Sequence, residues 1–149
     1  IHLSGKTNSL EEAYTLAKEM LVSGKALKVF EKMCREQGGD LNGLVLPKQK
    51  RDVLAPKSGY ISSFNVEKVG IAGILLHAGR RKAEDAVNPT SGIEFHVKIG
   101  DQVKEGDVIY TIWGDEPELF DNAHETLTES FEIHLQKPAD HVLIENIIT

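Results

Sequence analysis

The sequence predicts an α+β chain: a helical hairpin at the start, then a larger unit of short strands interleaved with short helices. Three observations lead there. The first 40 residues carry two consecutive apolar stripes of helical period, each closed by glycine. From about residue 53 the apolar residues alternate in short runs bounded by Gly, Asp, Asn and Pro. At the centre stands Val97-Lys-Ile-Gly-Asp-Gln-Val-Lys-Glu-Gly-Asp-Val-Ile-Tyr-Thr-Ile112, in which two apolar segments flank a Gly-Asp…Gly-Asp hinge.

Composition bounds the function. The 149 residues are 40 % hydrophobic and 27 % charged, a globular balance sufficient for one domain, or one domain with a small appendage. No apolar run is long enough to cross a bilayer, and the start does not read as a signal peptide. A net charge of −6 argues against a dedicated nucleic-acid binder, which needs a basic face. The single cysteine, Cys34, excludes an internal disulfide and fits a reducing, cytoplasmic setting. The chain opens at Ile1 without methionine, as expected of a piece of something longer or a chain trimmed at its start.

Residues 1–8 are polar. Ser9-Leu-Glu-Glu12 reads as a capping box, with the Ser9 hydroxyl on the Glu12 amide and the Glu12 carboxylate reaching back to Ser9. Leu10, Ala13, Tyr14, Ala17, Met20 and Leu21 form the first stripe, ended by Ser23-Gly24. Ala26, Leu27, Phe30, Met33 and Cys34 form the second, ended by Gly38-Gly39, and Cys34 reads as core. Residues 1–40 are thus the hairpin. Residues 41–52 read as a linker: Asn42-Gly43 is a turn signal, Pro47 blocks a helix, and Lys48-Gln-Lys-Arg51 is a short basic run, solvated rather than phosphate-binding. Residues 53–149 read as the main domain.

Val53-Leu-Ala-Pro56 leads through a turn into a strand from Tyr60 to Val66. Glu67–His77 reads as a short helix on Val69, Ala72, Leu75 and Leu76, with Gly70 and Gly73 permitting close packing on a sheet. Ala78 to Gly92 is a polar loop. Arg80, Arg81 and Lys82 can make a low-specificity anion contact there, because guanidinium groups bind phosphate bidentately; the blander alternative, which is favoured, has Arg80 paired with Asp85 or a helix end, pinning the loop. Ile93, Phe95 and Val97 alternate with Glu94, His96 and Lys98 as a strand with one wet face. In the hinge, Gly100 and Gly106 can take positive φ, and Asp101 and Asp107 can bond back to nearby amides. Val108–Trp113 carries strand-formers on both faces. Asp115-Glu-Pro-Glu118 starts a helix through Leu127, Phe131–Leu135 is a strand, and Val142–Ile148 a last one. No internal repeat stands out.

Chemistry is scarce. Of six histidines, none lies in H-E-x-x-H or beside a cysteine pair, which leaves a zinc site without support. His96 beside Glu94 reads as a surface pair rather than a general base, and Ser58, Ser62 and Ser63 lack a G-x-S-x-G setting. No catalytic, cofactor or metal residues are assigned.

Several blocks nevertheless occur in a telling order. Ser23-Gly-Lys-Ala-Leu-Lys-Val-Phe-Glu-Lys-Met33 with Gln37-Gly-Gly-Asp40, then Ala55-Pro-Lys-Ser-Gly-Tyr-Ile61, Val69-Gly-Ile-Ala72, Ala78-Gly-Arg80 with Asp85, and Gly92-Ile93 before Lys98-Ile-Gly-Asp-Gln-Val-Lys-Glu-Gly-Asp107 resemble the C-terminal part of thymidine and pyrimidine-nucleoside phosphorylases. The resemblance runs from about residue 9 to 113. His77 stands where that family usually has glycine, and Val87–Gly92 departs from its pattern. The acidic helix near 116–130 resembles more the branch acting on nucleoside monophosphates such as AMP.

The resemblance implies an α/β-hammerhead domain in a glycosyltransferase that phosphorolyses a nucleoside or nucleotide to base and ribose or deoxyribose 1-phosphate. It also implies phosphate as co-substrate with no further cofactor, homodimers, and partner helical and α/β domains upstream in the same chain, with neither nucleic acid nor membrane as partner. The family's phosphate- and base-binding motifs lie upstream of the matched blocks, so the 149 residues are expected to be a non-catalytic accessory part. Two other classes compete. A biotinyl- or lipoyl-carrier module shares the Ala-Pro…Gly and Gly-Asp pattern, but no lysine here stands between two methionines. A module for phosphate-rich ligands would use Lys48–Arg51 and Arg80–Lys82, against the acidity of the whole.

Overall fold

The computed structural model describes residues 1–140. The chain forms two compact units, Ile1–Val45 and a second starting at Leu46. It is an α+β fold with two three-stranded antiparallel sheets.

In the first unit, α1 (Leu10–Val22) and α2 (Lys25–Glu36) pack on each other as the predicted hairpin. Glu12 N donates to Ser9 Oγ at 3.1 Å, as the capping box requires. The return arm differs: Glu12 Oε2 takes the Asn8 amide at 2.9 Å rather than that of Ser9. The carboxylate satisfies a free amide one residue further out. Only Ala13 of the stripes is buried; Leu10, Tyr14, Leu21, Leu27, Phe30 and Met33 are exposed, and Cys34 is half-buried rather than core.

In the second unit, β1 (Gln49–Leu54), β5 (Val108–Gly114) and β3 (Gly92–Phe95) make one sheet in the order β1-β5-β3. The other sheet is β4 (Gln102–Val103), β2 (Gly59–Phe64) and β6 (Phe131–His134), in the order β4-β2-β6. The central strand β5 is buried along both faces, as its residues predicted: Ile109, Tyr110 and Ile112 are fully inaccessible and Thr111 nearly so. β1 corrects the reading of 41–52 as linker. Gln49 to Val53 pair residue by residue with Gly114 to Tyr110, so the last third of the stretch is a strand. Gln49, Lys50 and Arg51 are exposed, Asp52 is half-buried, and only Val53 enters the core.

The hinge is two copies of one turn. Lys98-Ile-Gly-Asp101 and Lys104-Glu-Gly-Asp107 each close with an N–H of Asp on the carbonyl of Lys (3.1 and 3.0 Å), with Gly100 at φ 92° and Gly106 at φ 87° in the third position. Each aspartate then takes the amide of the turn's lysine, at 2.8 and 2.7 Å. Gly106 N donates to Ala55 O while Ala55 N donates to Asp107 O; Gly100 N and Ile61 N do the same with Ile61 O and Asp101 O. The two turns clasp both ends of Ala55–Ile61, the segment that leads from β1 into β2.

Helix α3 (Val66–Leu75) is capped by Asn65, whose Oδ1 accepts from Lys68 N at 3.0 Å. It buries Ala72 and packs against α4 (Phe120–Thr128). Gly70 and Gly73 do not mediate close packing, since a Cβ at either would meet nothing within 4 Å. The helix predicted from Asp115 begins as a single 3-10 turn, Pro117–Leu119, before α4. The core joins Val53, Ile61, Leu76, Val103, Tyr110, Ile112, Phe120, Leu127 and Ile133. Phe64 and Phe131 of one sheet meet Phe95 and Tyr110 of the other; the Phe95–Tyr110 rings are 4.8 Å apart at 89°. The strand predicted at Val142–Ile148 lies outside the described residues.

Candidate functional site

The loop after α3 is shaped by the way the helix ends. Ala78 N donates to Gly73 O (2.9 Å) and His77 N to Ile74 O (3.0 Å), the paired bonds of a left-handed C-terminal turn, with His77 itself at φ 58°. The chain then enters Arg80-Arg-Lys82. All three side chains are exposed, and among the described residues none makes an ion pair. Asp85 does pin the loop, but through the backbone: its Oδ2 accepts the amides of Arg81 and Lys82, both at 3.0 Å, rather than the Arg80 guanidinium.

The far side of the loop is tied down by residues that sequence reasoning did not single out. Asn88 N donates to His77 O at 2.8 Å, and Asn88 Nδ2 to Glu116 Oε1 at 3.1 Å. His77 Nδ1 lies 3.6 Å from the same carboxylate oxygen. Asn88 Oδ1 takes the Thr90 amide at 3.0 Å, an Asx turn legible in Val87-Asn-Pro-Thr90. Thr90 Oγ1 reaches Asp115 Oδ2 at 2.9 Å, and Asp115 Oδ1 accepts Lys48 N at 2.9 Å. The Lys48 amide, then the Thr90 hydroxyl, hold the Asp115 carboxyl below its ordinary range.

A second polar group crosses the outer face of the first sheet. Asp52, Thr111 and Glu94 stand in register on β1, β5 and β3. Thr111 Oγ1 donates to Asp52 Oδ1 at 2.7 Å, so its oxygen is left to accept from His96 Nε2 at 2.7 Å. Trp113 Nε1 donates to Glu94 Oε2 at 2.9 Å, and Lys50 Nζ sits 5.7 Å from the Trp113 ring centre. The row resembles a nucleophile–base chain only in residue type. The Thr111 residue is 3 % exposed, its proton already lies on a carboxylate, and no substrate can reach it. The row fastens three strands. Thus His96 is more than a surface pair with Glu94, which lies 4.0 Å away.

The basic run Lys48–Arg51 is not a patch. Lys50 faces Trp113 and Asp52, whereas Arg51 pairs with Asp121 on α4. The two cations leave the strand on opposite faces, as alternation dictates. Among the described residues no three of His, Cys, Asp and Glu are grouped to hold a metal ion, and no helix is long and apolar enough to cross a membrane.

Comparison with known proteins gives this geometry a setting. Residues 60–134 match the family model described as the pyrimidine nucleoside phosphorylase C-terminal domain. The chain is 35 % identical over 153 residues to a pyrimidine-nucleoside phosphorylase of Staphylococcus haemolyticus (strain JCSC1435), covering 99 % of this chain and 35 % of that protein. It is 35 % identical over 157 residues to the enzyme of the same name from Staphylococcus aureus (strain USA300), with the same coverage of each. The chain therefore spans about 35 % of the length of these curated relatives. The two sheets, the paired Lys-x-Gly-Asp turns and the Arg80–Lys82 loop all lie in or next to the matched span, and the chain belongs to the pyrimidine nucleoside phosphorylase C-terminal domain family.

Proposed function

We propose that this chain serves as the accessory C-terminal part of a phosphorylase that cleaves a nucleoside or nucleotide with phosphate, giving free base and a ribose or deoxyribose 1-phosphate. The observation that carries the reading is the similarity, along 99 % of this chain, to about a third of the length of pyrimidine-nucleoside phosphorylases. In such an enzyme catalysis is positioning and charge stabilisation at the breaking glycosidic bond, supplied by other segments. The part played by these residues is support. The hairpin presents Leu10, Tyr14, Leu21, Leu27, Phe30 and Met33 to solvent, an apolar face of the kind that packs against another domain of the same chain. The parent works in the cytoplasm as a homodimer, with phosphate as co-substrate and no further cofactor.

The test is base release from thymidine, uridine and AMP, with and without phosphate, by the 149-residue chain and by a full-length relative carrying this segment in place of its own. Phosphate-dependent release by the longer protein alone supports the accessory role. Release by the 149 residues, or an equally active longer protein after deletion of the segment, refutes it.

A further inference from the structure

The groove between the end of α3 and the start of α4 takes no part in the reading above. It is an open groove of about 540 Å³, lined by Ile74, Leu75, His77, Arg81, Leu119 and Asn122, among others. Ile74, Leu75 and Leu119 give it an apolar floor. Arg81, His77 and Asn122 give it three side chains able to donate hydrogen bonds.

Two carboxylates belong to these surroundings: Asp85 lines the groove, and Glu116 Oε1 lies 3.6 Å from His77 Nδ1, which leaves His77 Nε2 for a ligand. Asp85 Oδ2 holds the amides of Arg81 and Lys82, and Glu116 Oε1 accepts from Asn88 Nδ2. The cations are not engaged: Arg81 and its exposed neighbours Arg80 and Lys82 have no ion-pair partner among the described residues. His77 adds an independent sign. Its φ of 58° is the only positive φ of a residue other than glycine among the described residues, at a helix-end position that glycine fills at lower cost. Such backbone cost persists where the side chain has work to do. Here the side chain lines the groove.

We propose that this groove binds a small phosphorylated molecule, with Arg81 and His77 on the phosphoryl oxygens and the apolar floor under its body. Arg81 offers a planar fork to two oxygens, and Arg80 and Lys82 raise the local positive potential. The proposal does not depend on the phosphorylase reading.

The experiment is an amide NMR titration of the 149-residue chain with phenyl phosphate, inorganic phosphate and benzyl alcohol. Phenyl phosphate should shift residues 74–86 and 119–122 saturably, bind more tightly than phosphate, and weaken with added salt. Arg81→Gln should weaken it about tenfold, the loss of one charge-assisted contact. The variant keeps the Asp85 turn, which uses only the Arg81 backbone. His77→Gly should also weaken binding while raising the melting temperature, a combination that a purely structural histidine would not give. The proposal is overturned by shifts that do not saturate or lie elsewhere, by unchanged affinity in either variant, or by benzyl alcohol binding as well as phenyl phosphate.

Discussion

Gly59→Ala should unfold the second sheet's main contact. Gly59 opens β2, and a Cβ there would lie 2.6 Å from the His134 carbonyl oxygen and 2.7 Å from Ile133 Cγ2. Neither neighbour is free to move. The carbonyl belongs to β6, whose register with β2 sets Tyr60 opposite His134 and Ile61 opposite Ile133, and Ile61 and Ile133 are both core. Relief requires β6 to back away from β2, loosening packing at both isoleucines. Overpacking of this kind costs about 3 kcal/mol. With a urea slope of about 2 kcal/mol per molar, the unfolding midpoint should fall by about 1.5 M. The lone tryptophan, Trp113 on β5, provides a fluorescence signal for the transition. Gly70→Ala is the counterpart: its Cβ meets nothing within 4 Å, and alanine inside α3 should gain about 0.8 kcal/mol and raise the midpoint by about 0.4 M. A Gly59→Ala midpoint within about 0.3 M of the parent would refute the steric argument.

Ser130→Ala should cost about 1–2 kcal/mol, because the buried Tyr110 hydroxyl loses its partner at 2.9 Å, and Tyr110→Phe on that background should recover part of the loss in urea unfolding. Burial, and then the charge of Arg51, push the His124 imidazole below its ordinary value of 6.5. A group whose folded pKa is depressed stabilises the fold above its unfolded value and loses that contribution as pH falls. The urea midpoint should therefore drop between about pH 7.5 and pH 5.5, and drop less in His124→Asn; equal drops in both would refute the assignment.

The candidate loop was only half legible in the sequence. Its cations and Asp85 are consecutive enough to be recognised together, and Asn88-Pro-Thr90 is a turn by composition. What holds the loop is Glu116 and Asp115, about 25–28 residues further on. Nothing in their own neighbourhood marks those acids as anything but the start of a helix. Separation along the chain also hid the Asp52–Thr111–His96 row, whose members come from β1, β5 and the residue just past β3.

By itself the sequence determined what short-range physics controls: the caps and stripes of the helices, the positive-φ glycines and backbone-seeking aspartates of the hinge, the two-sided burial of β5, and the ordered blocks that mark the family. Tertiary structure alone decided the rest. Gln49–Asp52 carries no apolar alternation and becomes strand only because β5 offers its edge. Gly59 is required by β6, whose His134 carbonyl and Ile133 leave no room for a Cβ, as well as by its own φ of 157°. The two Lys-x-Gly-Asp turns act as a pair only once Ala55 and Ile61 lie between them. Local sequence sets the period and the turn, whereas pairing partners are chosen by contacts between residues far apart in the chain, which no window along it contains.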